Sequence, residues 1–276
     1  MAKLTLKEAG KLKNTRHVLG ISGGKDSAAL AIYIRDNYPE IHEKVEYFFT
    51  DTGAELEEVY DFLDKLEAYL GKKIERLTQK RGFEHFLTMH NNYLPSPRQR
   101  WCTLMMKIKP FEAFVKDDPV VTYVGIRADE NREGYISHKP TIQAVFPFIE
   151  DGLVRDDIFQ MLEDSVGIPN YYEWRSRSGC YFCFFQRQDE WLGLKRRHPD
   201  LFEKAVKIEQ ESGQGYTWVQ GRTLEQVVKR AEEREKEADS KCLKNKQSNI
   251  VRWQDKIRYE SDDDDPEDQA CVICSL

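Results

Sequence analysis

The sequence predicts a doubly wound α/β domain with a mostly parallel sheet, and three observations predict it. Apolar runs of strand length stand at 17–21, 45–49, 73–77 and 120–124. Between them lie segments with apolar residues at helical spacing, at 26–37 and 55–70, and a shorter one at 107–115. The first strand passes into the first helix through Ser22-Gly23-Gly24-Lys25-Asp26-Ser27, a glycine turn. Sheets of this kind bind ligands in the crevice beyond the carboxyl ends of their strands.

Each element has its own reason. Val18, Leu19 and Ile21 make the first run apolar, and Val45-Glu46-Tyr47-Phe48-Phe49 the second. In 55–70, Val59, Phe62, Leu63, Leu66, Tyr69 and Leu70 recur on one helical face. Further on, Asp189–Glu209 and Thr223–Ala238 read as charged amphipathic helices, the first with Trp191, Leu194, Leu201, Phe202 and Ala205 as its apolar stripe. The expected organisation is a nucleotide-binding domain over 1–185, a helical extension over 186–245 and an acidic tail over 246–276.

The chain has 276 residues, 40% of them apolar, enough for one α/β core with an appendage. No run approaches the roughly 20 apolar residues of a membrane span, and Met1-Ala2-Lys3-Leu4-Thr5 lacks the apolar core of a signal peptide, so a cytoplasmic protein with no membrane contact is expected. The net charge of −6 comes from residues 261–276, which hold six acids and no Lys or Arg, while the preceding 260 carry 42 basic and 42 acidic side chains. Basic residues still cluster, at Arg98-Gln99-Arg100 and Lys195-Arg196-Arg197-His198, where solvated surface and contact with nucleic-acid phosphates are both open readings. Six cysteines without a secretory signal point to reduced thiols, a metal or redox chemistry instead of a disulfide framework.

The glycine turn carries the chemistry. Gly23 and Gly24 let successive amide N–H groups converge on an anion at a helix N-terminus. Ser22 and Ser27 add hydroxyl donors, Lys25 a cation for developing charge, and Asp26 a carboxylate where a Mg²⁺ bridging phosphates would sit. Neither the Walker A loop nor the GxGxxG fingerprint fits this turn. One crossover downstream, Thr50-Asp51-Thr52-Gly53 ends the second strand, and Asp51 can hold Mg²⁺, take a nucleotide hydroxyl, or cap a helix.

The hexapeptide resembles the PP-loop of the ATP pyrophosphatases, which cleave ATP between its α and β phosphates. Taken in order, SGGKDS, TDTG, Arg100-Trp101-Cys102 with Lys107-Ile108-Lys109-Pro110, Gly125-Ile126-Arg127-Ala128-Asp129-Glu130-Asn131-Arg132 and Ser178-Gly179-Cys180-Tyr181-Phe182-Cys183 resemble the phosphoadenosine phosphosulfate (PAPS) reductase family over about 17–200. The resemblance implies an adenine nucleotide alpha hydrolase-like fold and places Arg127 and Arg132 on the nucleotide phosphates; an ion pair of Arg127 with Asp129 or Glu130 is the plainer reading. True sulfonucleotide reductases of the family have degraded PP-loops, whereas this one is complete. That departure points toward ATP cleavage that activates an oxygen for replacement by sulfur, as in the ATP pyrophosphatase subunits of bacterial DNA phosphorothioation systems. A cysteine desulfurase, further subunits of such a system and DNA are the partners this implies, and a homodimer is allowed.

The cysteines leave alternatives open. Cys180 and Cys183 form a CxxC, and Cys102 lies where the family binds a cluster, although its earlier segment has tryptophan at 101 in place of a second cysteine. A [4Fe–4S] cluster on Cys102, Cys180 and Cys183, zinc completed by His198 or a tail thiol, and bare dithiols are the readings. Cys271 and Cys274 follow the acidic run and form a second CxxC, either a sulfur carrier or a passive extension. The competing functions are a sulfonucleotide reductase, a tRNA thiolation enzyme and a nucleotide-sensing subunit without turnover.

Overall fold

The computed structural model describes residues 4–131, 139–213 and 215–244, with side chains of the last helix to 237. Five strands form one sheet, all parallel: β1 (Arg16–Gly20), β2 (Val45–Asp51), β3 (Ile74–Thr78), β4 (Val120–Tyr123) and β5 (Ile142–Val145), in the order β3-β2-β1-β4-β5. The four expected strands are present. The short β5, of which only Val145 is buried, has too weak an apolar pattern to stand out in the sequence.

Period-two alternation sends the strand side chains to two faces. Leu19, Tyr47, Phe49, Val121 and Tyr123 join the main core, while Val18, Phe48 and Val120 form a smaller cluster on the other face with Phe111 and Val115. Helices therefore cover both faces. In chain order they are α1 (Leu6–Gly10), α2 (Lys25–Asn37), α3 (Pro39–His42), α4 (Glu57–Leu70), α5 (Phe83–Met89), α6 (Trp101–Thr103), α7 (Lys109–Val115), α8 (Pro147–Glu150), α9 (Arg155–Glu163), α10 (Gln188–Arg197), α11 (Pro199–Glu211) and α12 (Leu224–Lys244). The chain builds outward from β1 to β3 on one side and then returns to add β4 and β5 on the other. The loops after β1 and β4 part at that switch point and leave the crevice the fold class requires.

The expected helix at 107–115 starts earlier, because α6 and α7 are joined through a π-turn at Leu104–Ile108. Pro110 has no N–H to offer the preceding turn. Gln79 Nε2 instead donates to Met105 O (2.8 Å).

The expected single helix over Asp189–Glu209 is two helices, since Pro199 cannot continue α10 and starts α11. Trp191, Leu194, Phe202, Ala205 and Val227 of this region belong to the same apolar cluster as the sheet. Glu209 is buried and accepts from the backbone N–H groups of Trp218 (3.1 Å) and Leu224 (2.9 Å), tying α11 to the start of α12. Burial pushes its carboxyl above the usual range, and those two N–H groups pull it part of the way back. Glu209→Ala, which strands both donors, is expected to cost about 2–4 kcal/mol in a denaturant titration. Glu209→Gln, which keeps an acceptor, should retain most of the stability.

Candidate active site

The six residues of the glycine turn lie where β1 meets α2. Gly23 has φ of +78°, and a Cβ there would stand 2.6 Å from Val59 Cγ1, so glycine is required on both counts. Gly24 is the N-cap of α2 and has Ser178 Oγ 2.9 Å from where a Cβ would stand. Ser27 Oγ accepts from Ser22 N (3.0 Å) and lies 3.1 Å from Ser22 Oγ, which closes the turn on itself.

The charged side chains form one network. Asp26 accepts from Lys25 Nζ through Oδ2 (2.9 Å) and from Arg127 Nη1 through Oδ1 (2.9 Å). Arg127 also reaches Asp129 Oδ1 through Nε (3.0 Å) and Glu130 Oε1 through Nη1 (3.0 Å). Lys25 and Arg127 are buried, at 4% and 3% exposure, so these are not surface ion pairs. Burial alone would raise the Asp26 carboxyl, but Lys25 and Arg127 outweigh it and hold it below the ordinary value. The plainer reading of Arg127, a pair with Asp129 and Glu130, is thus present, with Asp26 as a third partner.

A segment about 150 residues downstream sits on the turn. Tyr171 Oη donates to Gly23 O, Lys25 N donates to Tyr172 Oη (2.9 Å), and Ser178 Oγ donates to Ser22 O (3.1 Å). Both tyrosines are buried. Neither tyrosine stands out in the sequence, and Ser178 does so only as the first residue of the SGCYFC motif, with no role attached; only the fold brings the three to the turn.

Asp51 stands at the end of β2, where its Oδ1 accepts from Gly53 N (2.8 Å) and Tyr60 Oη (2.8 Å). The next residues meet the first CxxC. Tyr181 N donates to Ala54 O (2.8 Å), and Cys180 Sγ lies 3.1 Å from Thr52 Oγ1 and 3.5 Å from Glu55 Oε1. Glu55 is another residue whose place at the site no sequence pattern signals. Burial, then the Glu55 carboxylate, push the Cys180 thiol well above its ordinary value. Alkylation of Cys180 by iodoacetamide, followed by mass spectrometry, should run at least about tenfold slower than that of an exposed thiol. Glu55→Gln should speed it up.

Cys102, Cys180 and Cys183 are reduced and half-buried. Among the described residues, no group of three or more His, Cys, Asp or Glu is placed to hold a metal ion. His198, the candidate for completing a zinc site, has its Nε2 3.0 Å from Glu58 Oε1 on α4. Arg132, Cys271 and Cys274 lie outside the described residues, as does the side chain of Cys242.

Of the two basic clusters, Lys195, Arg196 and Arg197 are paired with Glu232 (3.1 Å), Glu235 (2.6 Å) and Glu173 (2.8 Å). Arg100 lies over the Phe185 ring. Among the described residues, no helix is long and apolar enough to cross a membrane.

Residues 16–145 match the phosphoadenosine phosphosulfate reductase domain family. Two uncharacterised proteins of Methanocaldococcus jannaschii are similar, at 28% identity over 77% of this chain and 46% of the relative, and at 26% over 73% and 49%. An uncharacterised 37.8 kDa protein of Escherichia phage 186 is 23% identical over 71% of this chain and 75% of its own length. The chain spans about half the length of the first two relatives. A solved PAPS reductase from Candida auris, in a phosphate complex, superposes with a TM-score of 0.44 at 15% identity, over 59% of this chain and 77% of that one.

Proposed function

From the premise that the chain carries a PAPS reductase-like domain of the PP-loop superfamily, we propose that it is an ATP pyrophosphatase that activates a substrate oxygen for sulfur incorporation. The observation that carries this reading is the complete SGGKDS turn, with the Lys25–Asp26–Arg127 network at the switch-point crevice. Ser22, Gly23, Gly24 and Ser27 surround the place for the phosphate chain, and α2 turns its N-terminus toward it. Lys25 and Arg127 supply positive charge for a departing pyrophosphate once they exchange Asp26 for phosphate oxygens.

Asp26 and Asp51 are the carboxylates that would hold a Mg²⁺ brought in on the phosphates. Asp51 fits, because both of its hydrogen bonds fall on Oδ1 and leave Oδ2 for a ligand; Asp26 fits when Lys25 or Arg127 releases it. The ion would neutralise charge on the leaving group. The residues themselves act by positioning: Tyr171, Tyr172 and Ser178 hold the turn, and Arg127 couples the β4 loop to it. In the completed proposal a DNA backbone oxygen attacks the α phosphate of ATP and pyrophosphate leaves. The persulfide of a cysteine desulfurase then attacks the activated backbone phosphorus, and AMP departs with that oxygen. Thiols last reduce the remaining S–S bond, being oxidised to a disulfide and leaving the phosphorothioate.

The test is Mg²⁺-dependent release of AMP and pyrophosphate from ATP by the full chain, with and without DNA. A second reading, reduction of PAPS or adenylyl sulfate, is favoured by the family match. Sulfite release from either compound with a dithiol reductant, and no pyrophosphate from ATP, would put it first.

A further inference from the structure

A second concavity of about 680 Å³ lies apart from the glycine turn, at the outer edge of β3. It is bounded by β3, the turn that follows it, α5 and α7. Four of its lining residues are cationic, Arg76, Lys80, Arg81 and Lys109, and none is Asp or Glu. Lys80 and Lys109 are exposed and have no carboxylate within ion-pair distance among the described residues. Arg81 Nη1 meets His85 Nε2 (2.9 Å). Arg76 binds Asp64 through Nη2 (3.0 Å), while its Nη1 is enclosed without an acceptor. Among the described residues, Arg76–Asp64 is the one ion pair these four cations make, an arrangement whose repulsion an anion would relieve.

Thr78 and Gln79 aside, the rest of the wall is apolar, with Leu77, Phe86 and Phe114 among its residues. An inorganic anion needs no such wall, whereas a nucleotide unit needs both parts. The volume is in the roughly 300–1,000 Å³ range that encloses a small organic ligand. The groove also opens at the carboxyl end of β3, two strands from β1 and thus roughly 10 Å across the sheet from the glycine turn.

We propose that this groove binds single-stranded nucleic acid, with Lys80, Arg81 and Lys109 on the phosphodiester backbone and a base against the apolar wall. A strand lying there runs past the mouth of the nucleotide crevice. The proposal does not depend on the ATP chemistry argued above.

The test is fluorescence anisotropy of a labelled oligothymidylate of about 15 nucleotides with the full chain, without ATP, at salt from about 50 to 200 mM. Binding that weakens with salt is expected. Lys80→Glu with Lys109→Glu should lower affinity at least about tenfold and flatten the salt slope by about 0.7 for each phosphate no longer neutralised. Lys204→Glu with Lys229→Glu, the same charge change on exposed positions elsewhere, should leave binding nearly unchanged. An abasic strand of equal length should bind about tenfold more weakly. No salt-sensitive binding, equal weakening in the two double variants, or equal affinity for the abasic strand would overturn the proposal. Pyrophosphate release from ATP, measured in parallel without nucleic acid, should be the same in both double variants and the parent chain, so failure of the groove and failure of the ATP reading are told apart.

Discussion

Replacing Asp26 with alanine is expected to reduce pyrophosphate release from ATP at least about a hundredfold and to lower stability by about 3 kcal/mol. The carboxylate sits between Lys25 Nζ and Arg127 Nη1, both at 2.9 Å, and the two cations have side-chain exposures of 5% and 4%. Two buried cations therefore lose a shared counter-charge. Desolvated ions cannot recover that loss from water, which is why breaking such a pair costs more than removing a surface one. Asp26→Asn separates the effects. It keeps the volume and part of the hydrogen bonding, so its stability should be closer to that of the parent while its activity falls like that of the alanine variant.

The same group sets a pH dependence. The folded-state pKa of Asp26 is depressed, so its contribution to stability is complete above the ordinary carboxylate value of about 3.9 and is lost as the pH falls through the lower folded value. Denaturant titrations from neutral pH downward should show a shallower acid loss in Asp26→Asn than in the parent chain. Equal slopes would mean that Asp26 is not the ionised partner of Lys25 and Arg127 that this arrangement requires.

Gly125→Ala is the second large effect. A Cβ at this position would stand 2.9 Å from Asp26 O, 3.2 Å from Asp26 C and 3.5 Å from Ser27 N. All three are backbone atoms, so no side-chain rotation relieves the clash. Either the β4 loop or the first turn of α2 must move, and both carry the site, because Arg127 is two residues beyond Gly125 and Asp26 lies on that turn. A cost of about 2–3 kcal/mol is expected, read as a fall in Tm of about 5 °C or more. ATP affinity should fall with it. Gly82→Ala is the control, since nothing lies within 4 Å of its Cβ and its φ is negative, and it should stay within about 0.5 kcal/mol of the parent.

Much of this protein is legible in its residues before any fold is known. Elements whose cause is local stand out: Val18 to Ile21 as a strand, the period-3.6 stripe from Val59 to Leu70 as α4, and the glycine turn whose backbone demands are met by Gly23. The turn's chemistry is local too, since Ser22, Lys25, Asp26 and Ser27 lie within six residues of one another.

What tertiary structure alone decided is every partnership across long stretches of chain. Asp26 and Arg127 are 101 residues apart and share a hydrogen bond because β1 and β4 are neighbours at the switch point. Tyr171, Tyr172 and Ser178 reach the same turn from 147 to 156 residues away. Cys180, whose CxxC spacing left cluster, zinc and dithiol readings open, lies beside Thr52 and Glu55 because its loop packs on the end of β2. Lys80 is unremarkable in sequence and Lys109 stands in a quoted motif, but the two line one groove only because β3 is an edge strand with α7 beside it. The physical reason is the same throughout. Periodicity and turn propensity are properties of a few consecutive residues, whereas burial and electrostatic coupling depend on which distant segments the sheet order places side by side.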